Sequence, residues 1–367
     1  MHRRSILQAG LGLLFGSQLS AQMNQDKLQS AISALERSVE TGLVDAAVVL
    51  VRNGNTEVTR AFGAAPNADA VFLLASISKP MTMAAVMSLC DRGLFDLDDP
   101  AAKYLPEFRG DGRDEITMRH LMTHISGLPD QLPENRALRT ANVPLAEFVA
   151  RAIKTPLLFE PGTKYSYSSM GILLASEIAQ RLSGKSIATL TDEVVYEPLQ
   201  MKHSALGLGR LDRTAWMRCQ VEKAAPESGA GDPTAKNWDW NSEYWRSLGA
   251  PWGGVNGSAP DVARFLEAFL RRDAKLLKPA SLQRMITNQN PEGLRRRGLG
   301  FDLGKSLGGP ALSEDAFGHG GSTGTLCWAD PNTNTICVVL TTLPSQAVRP
   351  HPRTIFSENV AEAVGQG

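Results

Sequence analysis

Val71-Phe72-Leu73-Leu74-Ala75-Ser76-Ile77-Ser78-Lys79-Pro80-Met81 opens a run that stays apolar nearly all round as far as Leu94. That is the pattern of a helix buried in a core. Proline is accepted only in the first turn of a helix, so Pro80 places the helix start close to Ser76. Ser76 and Lys79, three apart, then lie on one face. Ser76 occupies the positive end of the helix dipole, where negative charge is stabilised. A lysine buried beside it holds its proton less firmly, because desolvation disfavours the ammonium. Neutral Lys79 can then act as general base and make Ser76 a nucleophile. Ser-x-x-Lys occurs once in the chain. The alternative, a helix cap followed by a surface lysine, fits poorly with the apolar surroundings of Lys79.

On either side of this helix the pattern changes. Residues 24 to 41 have helical spacing, with Leu28, Ile32, Leu35 and Val39 on one face. Ala46-Ala47-Val48-Val49-Leu50-Val51 reads as a strand, Asn53-Gly54 as a hairpin turn, and Thr56 to Phe62 as the returning strand. Further helices are expected at 145–155, 171–182, 187–199, 260–271 and 279–286. The segment 222–258 is rich in Gly, Pro, Ser and Trp and reads as a long irregular excursion of the kind that shapes binding sites. Strands are expected again at Leu299–Leu303, Ser322–Trp328 and Thr335–Leu340, and a closing helix at Arg353–Val364. The β material thus lies at both chain ends. The predicted fold is of the α/β (α+β) class: an antiparallel sheet built from both ends, flanked by terminal helices, with an inserted all-helical lobe. The expected organisation is one domain, 22–367, with an α/β lobe at 22–75 plus 299–367 and a helical lobe at 76–298.

The chain has 367 residues, 43% of them apolar and 21% charged, with 38 acidic and 38 basic side chains. Balanced charge supplies no field to attract nucleic acid or an anionic membrane, so a small neutral or zwitterionic partner is expected. Met1-His2-Arg3-Arg4-Ser5-Ile6-Leu7-Gln8, an apolar run to Leu19 and Ser20-Ala21-Gln22 read as a signal peptide over 1–21. The Arg3-Arg4 pair resembles a twin-arginine signal. Export to the periplasm or outside a bacterial cell is therefore expected. No later apolar run is long enough to span a membrane. The cysteines at 90, 219, 327 and 337 fit no zinc spacing. Cys327 and Cys337 flank the turn Asp330-Pro331-Asn332, where buried thiols are favoured over a disulfide.

Two more segments carry chemistry. Pro161-Gly162-Thr163-Lys164-Tyr165-Ser166-Tyr167-Ser168-Ser169 is a turn leading into clustered hydroxyls and a helix. Tyr167 near a cation would have a lowered pKa and serve as a proton shuttle. The plainer reading is a helix cap by Ser168 or Ser169 with Tyr167 half-buried. Gly318-His319-Gly320-Gly321-Ser322-Thr323-Gly324 can bring backbone N–H groups against a substrate carbonyl if it forms an edge strand. Otherwise it is a glycine-rich turn. Gly320-x-Ser322-x-Gly324 also matches the nucleophile elbow of α/β-hydrolases, but that motif needs a helix after it, and the residues after Ser322 have a strand pattern. His120 and His124 stand four apart without the glutamate of a zinc hydrolase, and read as structural.

In order and spacing these segments resemble the serine β-lactamases, the penicillin-binding proteins, and the esterases and D-amino-acid peptidases of the same group. Ser76-x-x-Lys79 matches the first motif, Tyr167-Ser168-Ser169 falls where the family has Tyr-Ser-Asn, and His319-Gly320-Gly321 where it has Lys-Thr-Gly or His-x-Gly. Ile116 to Pro129 and Trp252-Gly253-Gly254-Val255 agree as well. The resemblance spans about 28 to 345. It implies an acyl-enzyme on Ser76, with Lys79 as base and Tyr167 shuttling protons. It implies that His319 holds Tyr167 or the substrate, and that the backbone N–H groups of Ser76 and Ser322 bind the oxyanion. Ser169, Gly320 and Gly321 would contact substrate, with no metal or organic cofactor. Two departures stand out: Ser169 replaces an asparagine that grips a substrate amide, and His319 replaces a lysine that holds a β-lactam carboxylate. Both favour an esterase-like or peptidase-like hydrolase over a true β-lactamase or D-alanyl-D-alanine carboxypeptidase. A non-catalytic binding module on the same fold is the remaining alternative. Acyl and leaving-group selection are expected to lie in 222–258 and 128–145.

Overall fold

A computed structural model describes residues 23–223, 229 and 232–365. The leader read at 1–21 lies outside the described residues. Helix α1 (Gln25–Glu40) starts where the Asn24 side chain accepts from the Lys27 N–H at 3.0 Å. It buries Leu28, Ala31, Ile32 and Leu35. Strands β1 (Ala46–Asn53) and β2 (Thr56–Gly63) form the expected hairpin. A two-residue β3 (Phe72–Leu73) precedes α2 (Ser78–Asp91). Next in the chain are α3 (Met118–Thr123), α4 (Asn135–Thr140), α5 (Leu145–Lys154), α6 (Ser169–Ser183), α7 (Ile187–Thr191), β4 (Ala205–Leu206), α8 (Glu243–Leu248), β5 (Val255–Gly257), α9 (Ala259–Leu270) and α10 (Pro279–Met285). The chain closes with β6 (Asp302–Leu303), β7 (Phe317–Gly321), β8 (Thr325–Asp330), β9 (Thr335–Thr341) and α11 (Pro352–Val364).

The main sheet is antiparallel, in the order β2-β1-β9-β8-β7-β6. The first and last strands of the chain meet within it: Val49 faces Val339 and Val51 faces Cys337. This explains why Ala46 to Val51 is apolar without alternation. Ala46, Val48 and Leu50 pack into the core shared with α2 and α9. Ala47, Val49 and Val51 pack into a second core with α1 and α11. A strand covered on both faces loses its polar face.

The structure corrects several expectations. The inserted lobe is not all-helical: its strands β4 and β5 join β3, which precedes the lobe in the chain, in a small second sheet, with Phe72 opposite Gly257 and Leu206 opposite Val255. The excursion 222–258 ends in β5 and contains α8. Its order comes from a buried cation rather than from periodicity. Arg246 donates to the Trp240 carbonyl at 3.0 Å, the Met217 carbonyl at 3.2 Å and Asn256 Oδ1 at 2.5 Å. The strand expected at 299–303 shrinks to β6, and the one at 322–328 starts only at Thr325, because Ser322 to Gly324 form the turn between β7 and β8. Cys327 and Cys337 lie on paired strands, but the register sets Trp328 opposite Cys337, so the two thiols point into different cores. All four cysteines are free. Among the described residues no helix is long and apolar enough to cross a membrane.

Candidate active site

The loop into α2 is strained at one point. Ala75 has φ +49°, a left-handed conformation that residues with a Cβ seldom adopt. A 3₁₀ turn over Ala75–Ile77 delivers Ser76 to the helix mouth. Lys79, one turn on, is fully buried. Its Nζ lies 3.1 Å from Ser76 Oγ and donates to the Trp252 carbonyl at 2.9 Å. The segment bearing that carbonyl is held by two further bonds across the same gap: Thr82 Oγ1 donates to the Pro251 carbonyl at 2.9 Å, and Val255 N–H to Ser78 Oγ at 2.9 Å. Burial is the largest influence on Lys79 and lowers its pKa to about 7; Asp130 and Asp302 oppose this and Arg297 adds to it. The amine is thus neutral in a large fraction of molecules near neutral pH.

Ser168 caps α6, its Oγ accepting from the Gly171 N–H at 2.9 Å. Tyr167 stands immediately before this cap. Lys79 Nζ lies over the Tyr167 ring, 4.6 Å from its centroid, with the Arg297 guanidinium at 5.6 Å. His124 packs against the ring at 4.6 Å and accepts the Ser168 N–H on Nδ1 at 3.1 Å. His124 therefore props the tyrosine segment. His120 belongs to the cap of α3, where its N–H bonds Thr117 Oγ1 at 3.2 Å. The expectation of a lowered Tyr167 pKa is overturned. Burial raises it far more than Arg297 and Ser76 lower it. The neighbouring lysine, itself partly neutral, gives little of the positive charge that a lowered value requires. Tyr167 is therefore a phenol at neutral pH.

His319 on β7 lies across the site, its ring centroid 6.0 Å from that of Tyr167. Both ring nitrogens are engaged elsewhere. Nδ1 lies 2.7 Å from the Gly320 carbonyl, which can only accept, and Nε2 lies 2.7 Å from Arg297 Nη2, which can only donate. The imidazole is therefore neutral with its proton on Nδ1, and burial, reinforced by Arg297 against the pull of Asp302, lowers its pKa to about 3. No ring nitrogen remains to hold Tyr167 or a substrate, which corrects that expectation.

Arg297 belongs to this site although no motif in the chain marks it. It is completely buried and pairs with Asp302 as well as with His319. Replacing Arg297 with leucine strands Asp302 with only the half-exposed Arg295, 3.1 Å away, as its cation. The expected loss is about 3–5 kcal/mol of stability, read as a lower urea midpoint. His319 should also bind protons more readily, so its ring signals should titrate at higher pH than in the parent.

The turn after β7 is tied to the nucleophile loop. Thr323 Oγ1 donates to the Leu73 carbonyl at 2.6 Å and Thr325 Oγ1 to the Leu74 carbonyl at 2.8 Å. A Cβ on Gly321 would stand 2.4 Å from the Leu74 carbonyl oxygen, so only glycine permits this approach. Ser76 and Ser322 consequently line one cavity of about 320 Å³ with Tyr167, Ser169, Asp130 and three tryptophans, 240, 245 and 252. Neither the Ser76 nor the Ser322 N–H donates to another group among the described residues. Strand β8, not a helix, comes after Ser322, so the nucleophile-elbow alternative fails on its own criterion. Ser169 donates through Oγ to Asp130 Oδ1 at 2.6 Å. Asp130 is the second residue missed from sequence, though it lies within the 128–145 segment expected to shape selection.

A family model described as Beta-lactamase matches residues 28–359. Esterase EstB of Burkholderia gladioli is 31% identical over 326 residues, covering 79% of this chain and 81% of that protein. An N-acetylmuramyl-L-alanine amidase of Bacillus subtilis (strain 168) is 27% identical over 369 residues, covering 88% of this chain and 82% of that protein. Among solved structures, a family VIII carboxylesterase matches with a TM-score of 0.75 at 21% identity, covering 92% of this chain and 97% of that one. At that identity the likeness speaks for the fold.

Proposed function

The chain belongs to the Beta-lactamase family and is a serine hydrolase, and from this premise we propose that it cleaves esters and small amides through an acyl-enzyme on Ser76. The observation that carries the reading is the fully buried Lys79 amine 3.1 Å from Ser76 Oγ, with its pKa lowered to about 7. In the ammonium form Nζ donates to the hydroxyl; in the neutral form its lone pair accepts the hydroxyl proton.

Ser76 Oγ attacks the substrate carbonyl carbon as its proton passes to Lys79. The carbonyl oxygen becomes an oxyanion between the N–H groups of Ser76 and Ser322. Its collapse breaks the bond to the leaving alcohol or amine. Tyr167 gives that group its proton and is resupplied by the Lys79 ammonium, so the phenol never has to ionise alone. Water then attacks the acyl carbon, passing its proton by the same route in reverse, and Ser76 is restored. His319 and Arg297 do not touch substrate in this scheme. Arg297 supplies the fixed charge beside Tyr167, and His319 anchors it to the strand bearing Gly320 and Gly321. The relatives named esterase and amidase support the substrate range proposed. The expected leader at 1–21 makes a periplasmic or extracellular site of action part of the same proposal.

The test is covalent. A fluorophosphonate should add one adduct to the intact protein mass, and peptide mapping should place it on Ser76. Short-chain p-nitrophenyl esters should be hydrolysed. A folded protein that gains no mass and turns over no ester would sink the reading and leave a binding module.

A further inference from the structure

We propose that Ser78 and Arg353 are positioning residues that aim the two oxyanion donors, each by holding the carbonyl of the peptide that carries the donating N–H. This rests on the hydrolase reading and adds two residues to it.

A trans peptide is planar, so its C=O and N–H point in opposite directions. The Ser76 N–H shares its peptide with the Ala75 carbonyl, and the Ser322 N–H shares its peptide with the Gly321 carbonyl. Whatever holds those carbonyls from behind the cavity turns the two N–H groups toward it. Neither Ser78 nor Arg353 lines the cavity. Ala75 needs such a hold, since its φ of +49° is one that a residue with a Cβ seldom keeps. The Ser78 hydroxyl supplies it. Its oxygen accepts the Val255 N–H at 2.9 Å, and its single proton goes to the Ala75 carbonyl at 2.6 Å. The Gly321 carbonyl takes the Gly324 N–H at 3.1 Å, a bond internal to the turn. It also accepts from Arg353 Nη1, which donates to the Thr325 carbonyl at 2.6 Å as well. One nitrogen thus spans both ends of the turn that carries Ser322.

Arg353 is itself well anchored at the start of α11. His351 Nε2 lies 3.0 Å from the Leu343 carbonyl, and its Nδ1 accepts the Arg353 N–H at 3.1 Å. Burial alone shifts the guanidinium, lowering its pKa to about 10, and no carboxylate pairs with it among the described residues. A neutral donor could join the two strands without burying a charge. The charge has a use at the site. A cation on a peptide carbonyl polarises that peptide and makes its N–H a stronger donor to a developing oxyanion.

The experiment uses the full chain and p-nitrophenyl butyrate. Active sites are counted by fluorophosphonate labelling carried to completion, so unfolded protein drops out of the rates. Ser78→Ala and Arg353→Met should each lower kcat per site by about 10- to 100-fold. KM should stay within about threefold of the parent, because acylation and deacylation both pass through the oxyanion. Butylboronic acid separates aiming from mere stability. Ser76 Oγ bonds to boron, its proton passes to Lys79, and the anionic tetrahedral adduct sets one oxygen between the two N–H groups. Its affinity should weaken by the same factor as kcat/KM. Arg353→Lys, which keeps the charge without the fork, should fall between Arg353→Met and the parent in both measures. If Arg353→Met does not fold, Ser78→Ala and Arg353→Lys decide. Parent-like kcat and boronate affinity in the variants that fold overturn the proposal, as does a fall in kcat/KM that boronate affinity does not share. The hydrolase reading stands in both cases. A parent that takes up neither boronate nor fluorophosphonate and turns over no ester overturns both.

Discussion

Lys79→Met is expected to lower kcat/KM by about 10³-fold or more and, at the same time, to raise the melting temperature at pH 6. Both effects come from one fact: a lysine with no exposure at all sits in an apolar helix and faces one hydroxyl and one carbonyl. Methionine fills a similar volume without charge, so the base is lost and the burial penalty goes with it. The sign of the pH dependence comes from the pKa being lowered on folding, from 10.5 to about 7. Below pH 7 the lysine is charged in both folded and unfolded chains, and the fold carries the full cost of burying the charge. As pH climbs from 7 toward 10.5 the folded chain has released its proton and the unfolded chain has not, so the cost falls away. The stability gap between variant and parent should therefore be widest at acid pH and close on the alkaline side, measured by calorimetry across that range. The parent's kcat/KM should fall as pH drops through about 7, because the protonated amine is no longer a base. A profile flat from pH 5 to 9, or a variant with near-parent activity, would remove Lys79 from the chemistry.

Ser76→Ala should be more damaging still. Loss of the attacking atom leaves only the oxyanion donors and the pocket, and activity on every ester should fall by at least about 10⁴-fold. The fluorophosphonate adduct should vanish with it. Stability should hardly move, since the hydroxyl bonds Lys79 and lines an open cavity. The contrast with Ser322→Ala is the sharper measurement. In the proposed mechanism Ser322 contributes only its backbone N–H, which alanine retains, so that variant should lose no more than about 10-fold. If the two variants lost equal activity, or Ser322→Ala lost more, the nucleophile would have been assigned to the wrong serine.

The parts of this molecule that were legible in the sequence are those in which local pattern and tertiary role agree. The amphipathic face of α1, the Asn53-Gly54 hairpin and the apolar run of β9 read directly. Ser76 and Lys79 were readable because three-residue spacing on a helix is a contact. The misses share a different cause. β3, β4 and β5 are two or three residues long, too short for any period to appear. β7 holds three glycines in five residues and is a strand because β8 pairs with it, not by propensity. Arg297 ends the run Arg295-Arg296-Arg297, which has the composition of a solvated surface. Its neighbours are exposed and only it turns inward, drawn by Asp302 across a short bridge. Asp130 comes directly after Leu128-Pro129, and its partner Ser169 is 39 residues away. No local signal marks such a pair. Cys327 and Cys337, read as buried thiols rather than a disulfide, are indeed free, because a shift of one position in register puts them in different cores.

The strand pair β1 with β9 in the main sheet joins the two ends of the chain. A ribosome making this protein therefore completes the nucleophile and its base long before it makes β7, whose turn must close against them, or β9. During that interval β1 presents an unpaired apolar edge, and the emerging chain depends on something other than its own sheet to stay out of aggregates. On the proposed mechanism, which needs the Ser322 N–H, a chain that ends before β7 is expected to be inactive.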